Sequence, residues 1–294
     1  MATNPKDLPE KSLEINSNLK LFQIYKNLKF TSLKIDSYFQ IYEEIFNEYI
    51  GKEIVFVEVG VLHGGSLFMW KEYFGSKARI IGIDLDPKAK ELEKEGFEIF
   101  TGSQSDNKFW KDFYSKVGKI DILLDDGGHV NEQQIVTVSE SVNNIKNNGI
   151  IVTEDVHSSY LRSFGNPFKF SFINYSKYLI DVVNSRFVDL QFKRNNDLRK
   201  KIFSISFYDS MVVFKINSKK SLDSVVVKNN ERERQGVFDY RSSDYFPKIN
   251  NIINKKFPFL KKIPIVKKIV RYLFNTPNFI VKLIYYFKLK KYFK

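Results

Sequence analysis

Two apolar stretches of this chain each end in a pair of adjacent carboxylates that is followed closely by a histidine. The first is IDILLDDGGH, from Ile120 to His129, and the second is GIIVTEDVH, from Gly149 to His157. The chain has 3 histidines in 294 residues, and two of them stand here. Hard divalent cations prefer carboxylate oxygens as ligands, and histidine exchanges a proton near neutral pH. The pattern predicts a cation site with a base beside it.

The elements that position these residues form a predicted parallel sheet. From residue 54 onward, short apolar runs alternate with amphipathic stretches, which is typical of α/β proteins. The predicted strands are 54–60, 78–86, 97–102, 120–126 and 149–155. Residues 202–217 predict two more strands around Asp209 and Ser210, and strands joined so closely are antiparallel. We therefore predict an α/β fold with a Rossmann-like, doubly wound, mostly parallel seven-stranded sheet that ends in a C-terminal antiparallel hairpin.

The net charge of +13 lies entirely at the C-terminal end. The last acidic residue is Asp244, and residues 245–294 contain thirteen Lys and Arg, so residues 1–244 carry no net charge. This distribution predicts four parts. They are an N-terminal helical segment at 1–50 whose first 20 residues are mobile, the sheet domain at 51–218, a linker or cap at 219–254, and a basic amphipathic helical tail at 255–294.

The tail combines twelve Lys and Arg with ten Phe and Tyr and contains no acid. Basic residues mixed with aromatic and aliphatic ones favour a segment that binds an anionic membrane surface. A less favoured alternative is nucleic-acid binding, since Lys and aromatic side chains can contact phosphates and stack on bases. The alternative favoured over nucleic-acid binding is a helix that packs on the domain or on another copy in a homo-oligomer.

Composition excludes several classes of site and location. Cysteine is absent, which excludes disulfides, thiolate metal sites and cysteine nucleophiles. The N-terminus is polar and lacks the apolar region of a secretory signal. Lysines interrupt the apolar stretches of the tail well before the roughly 20 residues that a spanning helix needs. We expect a cytoplasmic protein, peripheral to the inner face of the membrane.

The turn after the first strand, EVGVLHGGS from Glu58 to Ser66, is rich in glycine. Glycines let the backbone approach a ligand closely ahead of a helix N-terminus, although the spacing is neither GxGxxG nor that of a P-loop. The second strand ends in Asp84 and Asp86, which could accept hydrogen bonds from a ribose. A polar turn at 102–106 follows the third strand. Each turn alone is also typical of ordinary α/β proteins, but their order favours a nucleoside that lies across the sheet.

The two carboxylates of each doublet have separate predicted roles. Side chains alternate along a strand, so Asp125 would face the nucleoside and Asp126 the substrate. There Glu154 and Asp155 could converge with Asp126 on Mg²⁺, Mn²⁺ or Ca²⁺ rather than zinc. His129 would then act as general base. The alternative is that the acids are helix N-caps and the histidine is a solvated loop residue.

The other two histidines carry weaker predictions. His157 could line the substrate cleft, but its position in the sequence supports a structural role equally well. His63 lies inside the glycine turn, where it could pack against its neighbours or contact the nucleoside.

Five motifs follow one another along the chain in the order EVGVLHGGSLFMW, GIDLD, GSQSD, LLDDGGH and VTEDVHSSY. Together they resemble class I S-adenosylmethionine-dependent methyltransferases. More narrowly, they resemble the metal-dependent sugar O-methyltransferases of macrolide tailoring and their cephalosporin-hydroxylase-like relatives, over roughly residues 31–215. The resemblance implies a Mg²⁺-dependent enzyme that methylates a sugar hydroxyl of a surface polysaccharide or glycolipid. Alternatives are a methyltransferase for a small diol-containing natural product, or a non-catalytic peripheral membrane protein with a degenerate domain.

The resemblance also implies roles for individual residues. It implies Asp126, Glu154 and Asp155 as ligands of Mg²⁺ or Mn²⁺ and His129 as the catalytic base. It places the cofactor S-adenosylmethionine against residues at the strand ends, namely Glu58, Gly60, Gly65, Ser66, Asp84, Asp86, Ser103, Gln104 and Asp125. His157 and Tyr160 are the residues expected to contact the sugar acceptor.

Overall fold

The structure is a computed structural model and describes residues 9–164, 169–187, 197–232, 286–287 and 289–292. The chain divides into two units, Met1–Val226 and Val227–Lys294. In the second unit the described residues include a 3₁₀ turn at Lys290–Tyr292. The predictions for the rest of the tail at 255–294, and for the linker after residue 232, lie outside the described residues. No helix among the described residues is long and apolar enough to cross a membrane.

All seven predicted strands are present. They are β1 Val55–Val59, β2 Arg79–Asp84, β3 Glu98–Thr101, β4 Ile120–Asp125, β5 Ile145–Thr153, β6 Ile202–Tyr208 and β7 Met211–Ile216. They form one sheet in the order β3-β2-β1-β4-β5-β7-β6. The strands β1 to β5 are parallel, and β7 lies antiparallel between β5 and β6. The predicted fold class is confirmed, including the hairpin at the C-terminal end of the sheet.

Helices cover both faces of the sheet. They are α1 Glu10–Ser17, α2 Lys20–Lys26, α3 Tyr38–Phe46, α4 Gly65–Phe74, α5 Asn107–Val117, α6 Asn131–Ser141 and α7 Phe172–Asn184. Because side chains alternate along a strand, Phe56 of β1 packs into the core beneath α2, α3 and α4. Its neighbour Val57 packs into the core beneath α5, α6 and α7. The site must therefore lie at an edge of the sheet rather than on a face.

Within the stretch predicted to be mobile, Glu10–Ser17 form the helix α1. Asn16 in this helix is buried, and its side-chain amide donates a 3.2 Å hydrogen bond to the carbonyl of Asp36. The Ser12 hydroxyl donates to the carboxylate of the same aspartate. These polar contacts stabilise α1 through Asp36, which lies outside the helix and far from it in the sequence. The polar composition of the segment does not reveal such contacts.

The chain between α2 and α3 runs beside the N-terminus of α4. A Cβ atom on Gly65 would lie 2.4 Å from the carbonyl oxygen of Phe30 and 2.5 Å from that of Thr31, so only glycine permits this approach. The Tyr25 hydroxyl donates a 2.7 Å hydrogen bond to the carbonyl of Ser32. The N-terminal segment is therefore held against the carboxyl ends of the strands.

Candidate active site

A cavity of about 1030 Å³ opens at the carboxyl ends of the parallel strands. Its size is comparable to that of pockets that enclose a whole small-molecule ligand. Six of the predicted cofactor residues line it, namely Gly60, Ser66, Asp84, Asp86, Ser103 and Gln104. Residues 30–33 of the N-terminal segment also line it, and sequence reasoning missed them because they belong to no motif.

Three other predicted cofactor residues, Glu58, Gly65 and Asp125, do not line the cavity. Glu58 is buried and accepts hydrogen bonds from the Ser66 hydroxyl at 2.7 Å and from a tryptophan ring nitrogen at 3.2 Å. Asp125 accepts a 2.8 Å hydrogen bond from the side-chain amide of Gln104. The two acids therefore hold the wall residues Ser66 and Gln104 in place from behind.

Asp84 stabilises the glycine turn after β1. One of its carboxylate oxygens accepts hydrogen bonds from the backbone N–H groups of Val61, at 2.9 Å, and Leu62, at 3.2 Å. Its other oxygen accepts from the N–H of Asp86 at 2.9 Å. Gly60 in this turn has a φ of +84°, and a Cβ atom there would lie 2.2 Å from the Asp126 carbonyl oxygen. The turn thus packs directly on the end of β4.

Asp126, His129 and Asp155 meet at one end of the cavity. One ligand atom from each lies within 4.8 Å of the others. His129 Nε2 is 3.2 Å from Asp155 Oδ2 and 3.9 Å from Asp126 Oδ1. The three side chains are partly exposed and line the cavity. This is an arrangement that could hold a divalent cation next to a base.

Glu154, the third predicted metal ligand, lies on the buried side of this group. Its oxygens are 3.2 and 3.3 Å from the ammonium of Lys34, and it also accepts a hydrogen bond from the Tyr42 hydroxyl. Lys34 Nζ contacts Asp126 Oδ2 at 2.5 Å and lies 3.6 Å from Glu58 Oε1. The Lys34 side chain is only 1% exposed.

Electrostatics favour a charged Lys34 in this position. Burial alone disfavours the charged form, but the negative charges of Asp126, Glu154 and Glu58 outweigh it and raise the pKa of the ammonium well above its usual value. For Glu154, burial and then the charge of Asp126 raise the pKa well above the usual value, while Lys34 opposes this shift. Lys34 is therefore charged, and its charge opposes the protonation of Glu154 that burial favours.

Sequence reasoning missed Lys34 and its two companions from α3, Tyr38 and Tyr42. The Tyr38 hydroxyl lies 2.6 Å from Asp155 Oδ1, and Tyr42 contacts Glu154 as described above. Tyr38 and Tyr42 are four residues apart, which is the spacing of one helix face, and Lys34 lies four residues before Tyr38 in the stretch that precedes α3. That spacing was the available signal, but it identifies no partner so distant in the sequence.

Three residues that line the cavity have strained backbone conformations. The φ angles of Leu62, His129 and Asp155 are +46°, +56° and +54°, and a residue with a side chain rarely adopts such values. Each such conformation costs about 1–3 kcal/mol and is found most often at functional sites. The fold therefore tolerates strain at the residues that face the cavity.

The residues predicted to contact the acceptor do not line the cavity. His157 is half-exposed, and its Nδ1 forms a hydrogen bond with the hydroxyl of Ser210 in the turn between β6 and β7. Tyr160 is 57% exposed. His63, by contrast, lines the cavity, as expected for a side chain that could contact the nucleoside.

Comparison with curated proteins shows what the chain is similar to. No protein-family model matches it. It is 31% identical over 137 residues to the 8-demethyl-8-alpha-L-rhamnosyl tetracenomycin-C 2'-O-methyltransferase of Streptomyces olivaceus. This match covers 44% of this chain and 36% of the relative. It is 30% identical over 131 residues to the demethylmacrocin O-methyltransferase of Streptomyces fradiae, which covers 42% of this chain and 33% of the relative. The matched part thus spans about a third of these relatives.

Comparison with solved structures concerns the fold. The MycE methyltransferase from the mycinamycin biosynthetic pathway, solved with Mg and SAH, matches with a TM-score of 0.62 at 20% identity, over 81% of this chain and 59% of that one. Another crystal form matches with a TM-score of 0.59 at 23% identity, over 68% and 54%. The chain therefore has the Rossmann-like fold of class I methyltransferases. The resemblance to macrolide sugar O-methyltransferases that the motifs indicated is confirmed by these similarities.

The contribution of Asp125 to the free energy of unfolding depends on pH. Burial raises the pKa of Asp125 to about 6, against the opposing effect of the hydrogen bond from Gln104. Its Oδ2 is buried and has no hydrogen-bond partner among the described residues. The folded state therefore favours the protonated acid. Protonated Asp125 therefore stabilises the folded state fully below about pH 4, which is the approximate pKa of the group in the unfolded chain. This stabilisation is lost as the pH rises through about 6.

We expect the Asp125→Asn variant to lose this dependence. Relative to the variant, the wild type should lose up to about 3 kcal/mol of unfolding free energy between about pH 4 and pH 7, because about two pKa units separate the folded and unfolded states. Urea unfolding in EDTA across this range measures the difference. Asp112→Asn, at an exposed position on α5, is the matched control. A constant gap between the wild type and Asp125→Asn would contradict the prediction.

Proposed function

We propose that the chain is an O-methyltransferase that moves the methyl group of S-adenosylmethionine to a sugar hydroxyl next to a bound divalent cation. One observation carries this proposal. The cavity at the strand ends is large enough for a nucleoside with an attached amino acid, and its wall ends at Asp126, His129 and Asp155. The names of the similar proteins, which are O-methyltransferases, support the same reaction class.

The cavity wall fits S-adenosylmethionine. The carboxylates at the end of β2, Asp84 and Asp86, would accept hydrogen bonds from ribose hydroxyls, and the Gly60 turn leaves backbone close to the ligand. Ser66, Ser103 and Gln104 add polar groups to the wall. When bound, this cofactor supplies a methyl group already activated by its sulfonium. The protein then has to align the acceptor and remove its proton.

The cluster of acids formed by Asp126, Glu154 and Asp155 fits a divalent cation such as Mg²⁺ or Mn²⁺. Asp126 and Asp155 would hold it from the cavity, and Glu154, whose two oxygens contact Lys34 and Tyr42, would exchange those contacts to complete the predicted ligand set. Carboxylates with room for water or acceptor oxygens suit such cations better than zinc. When bound, the ion would orient the acceptor oxygens and lower the pKa of an acceptor hydroxyl.

His129 would remove the proton of the acceptor hydroxyl. Its Nε2 faces the space between Asp126 and Asp155, so a neutral imidazole can take a proton there. Asp155 Oδ2, at 3.2 Å, then stabilises the imidazolium. The methyl group would pass from the sulfonium of S-adenosylmethionine to the acceptor oxygen, whose proton His129 takes, and S-adenosylhomocysteine would be the other product.

The finer proposal for the acceptor is a sugar of a surface polysaccharide or glycolipid at the inner face of the membrane. Its support is the run of thirteen Lys and Arg with aromatic residues at 245–294. A second candidate is a sugar on a small natural product, favoured by the relatives named for tetracenomycin and macrocin. The assembled acidic group and cavity argue against a non-catalytic membrane protein.

We expect His129→Ala and His129→Asn to lose methyl transfer by about 10²- to 10⁴-fold, because one general base contributes that much. The asparagine variant is included because asparagine tolerates a positive φ. Methyl transfer to a panel of sugar diols, with labelled S-adenosylmethionine, measures the loss. Binding of S-adenosylhomocysteine, followed by calorimetry, should persist in both variants. Unchanged turnover would remove His129 from the mechanism.

Removal of divalent cations should abolish turnover. We expect EDTA to stop methyl transfer and Mg²⁺ or Mn²⁺ to restore it, because the ion is needed to align the acceptor. In Asp126→Asn and Asp155→Asn the concentration of Mg²⁺ needed for half-maximal activity should rise at least about 10-fold, since each variant loses a charged ligand. Turnover that is indifferent to EDTA would mean that the acids are structural.

The tail should bind anionic vesicles. We expect the full chain to sediment with phosphatidylglycerol vesicles at low salt, and binding to weaken at about 1 M salt, where charges are screened within a few ångströms. A chain lacking residues 255–294 and neutral phosphatidylcholine vesicles are the controls. Equal sedimentation of the two chains would contradict the membrane proposal and leave the natural-product acceptor as the better candidate.

A further inference from the structure

The two aspartates that face the cavity are each held through one oxygen from inside the protein. Asp126 Oδ2 is 2.5 Å from the ammonium of Lys34, while its Oδ1 faces His129. Asp155 Oδ1 is 2.6 Å from the Tyr38 hydroxyl, while its Oδ2 faces His129 at 3.2 Å. In both cases one oxygen is occupied and the other points toward the space where ligand atoms converge.

The two donors are firmly held. Lys34 is almost completely buried, and Tyr38 at the start of α3 is fully buried. The Tyr38 hydroxyl is also 3.1 Å from the backbone N–H of Asp155 and 3.2 Å from the carbonyl oxygen of Ser210. The phenol is thus fixed at two points on the same aspartate, so neither donor can swing away without exposing an unpaired buried group.

We propose that Lys34 and Tyr38 are positioning residues that make Asp126 and Asp155 each present a single oxygen, and that they thereby select Mg²⁺ or Mn²⁺ against Ca²⁺. This inference rests on the cation site of the proposed function. Mg²⁺ takes about six ligands at about 2.0–2.1 Å and often uses one oxygen per carboxylate with several waters. Ca²⁺ takes about 6–8 oxygens at about 2.3–2.6 Å and readily uses both oxygens of a carboxylate. Occupying one oxygen of each aspartate therefore penalises Ca²⁺ more than Mg²⁺.

The charge of Lys34 has a separate effect. A fixed ammonium in contact with Asp126 and Glu154 repels every divalent cation to a similar degree. It lowers the affinity for Mg²⁺ and Ca²⁺ together and leaves their ratio nearly unchanged. The ratio of the two affinities therefore reports how the oxygens are presented, and absolute affinity reports the charge.

The test compares Mg²⁺ and Ca²⁺ binding to the full chain after removal of metal, by calorimetry with S-adenosylhomocysteine present. In Tyr38→Phe we expect the Mg²⁺-over-Ca²⁺ affinity ratio to fall about 10-fold, the usual size of an effect on a ligand's hydrogen-bond partner. The matched control is Tyr49→Phe, which removes an equally short 2.6 Å hydrogen bond from another buried tyrosine, to the carbonyl of Asn148. The control should keep the wild-type ratio.

Lys34→Met provides a second variant with a different expected signature. Both affinities should rise because a positive charge is removed, and the ratio should fall because Asp126 gains a free oxygen. A ratio unchanged in both variants would overturn the inference while leaving the cation site intact. An absence of divalent binding by the wild type would contradict the cation site of the proposed function and this inference with it. A fall of the same size in Tyr49→Phe would assign the effect to general loosening and overturn the inference.

Discussion

The buried ion pairs of Lys34 are the interactions on which the rest of the site depends. Taking a charge out of water costs several kcal/mol unless it is paired with excellent geometry. Here one ammonium serves Asp126 and Glu154 directly and Glu58 at 3.6 Å. Without it, the carboxylates at the ends of β1, β4 and β5 would repel one another in a medium of low dielectric constant. The ammonium of Lys34 in the N-terminal segment therefore offsets the repulsion among the acids at this edge of the sheet.

This dependence links the segment to the cavity. The lysine that neutralises the acids directly follows residues 30–33, which line the cavity, and the same stretch contacts Gly65 through its carbonyl groups. Three contacts thus hold residues 30–34. They are the close approach to Gly65, the ion pair of Lys34 with Asp126, and the hydrogen bond from the Tyr25 hydroxyl to Ser32. The cofactor wall and the cluster of acids therefore share one stretch of chain, residues 30–34.

The polar residues of the site divide into those that face the cavity and those that hold them. Glu58 holds Ser66, Asp125 holds Gln104, and Tyr38 holds Asp155. Motif reasoning placed both members of the first two pairs against the cofactor, because neighbouring positions in a motif give no indication of depth. The result is a wall whose exposed groups are oriented before any ligand arrives, which lowers the entropic cost of binding.

The sequence by itself determined the strands, their parallel and antiparallel arrangement, and the two acidic strand ends, because these depend on local periodicity and on short connections. It also indicated that Asp126, His129 and Asp155 could share one edge. Only the tertiary structure decided which oxygens face the cavity and which are occupied from inside. It also decided that Glu10–Ser17 form a helix and that Lys34, 92 residues from Asp126 and 120 from Glu154, supplies the neutralising charge. The physical reason is that the pairing of a buried charge depends on burial and on contacts across the whole fold, and no local pattern encodes either.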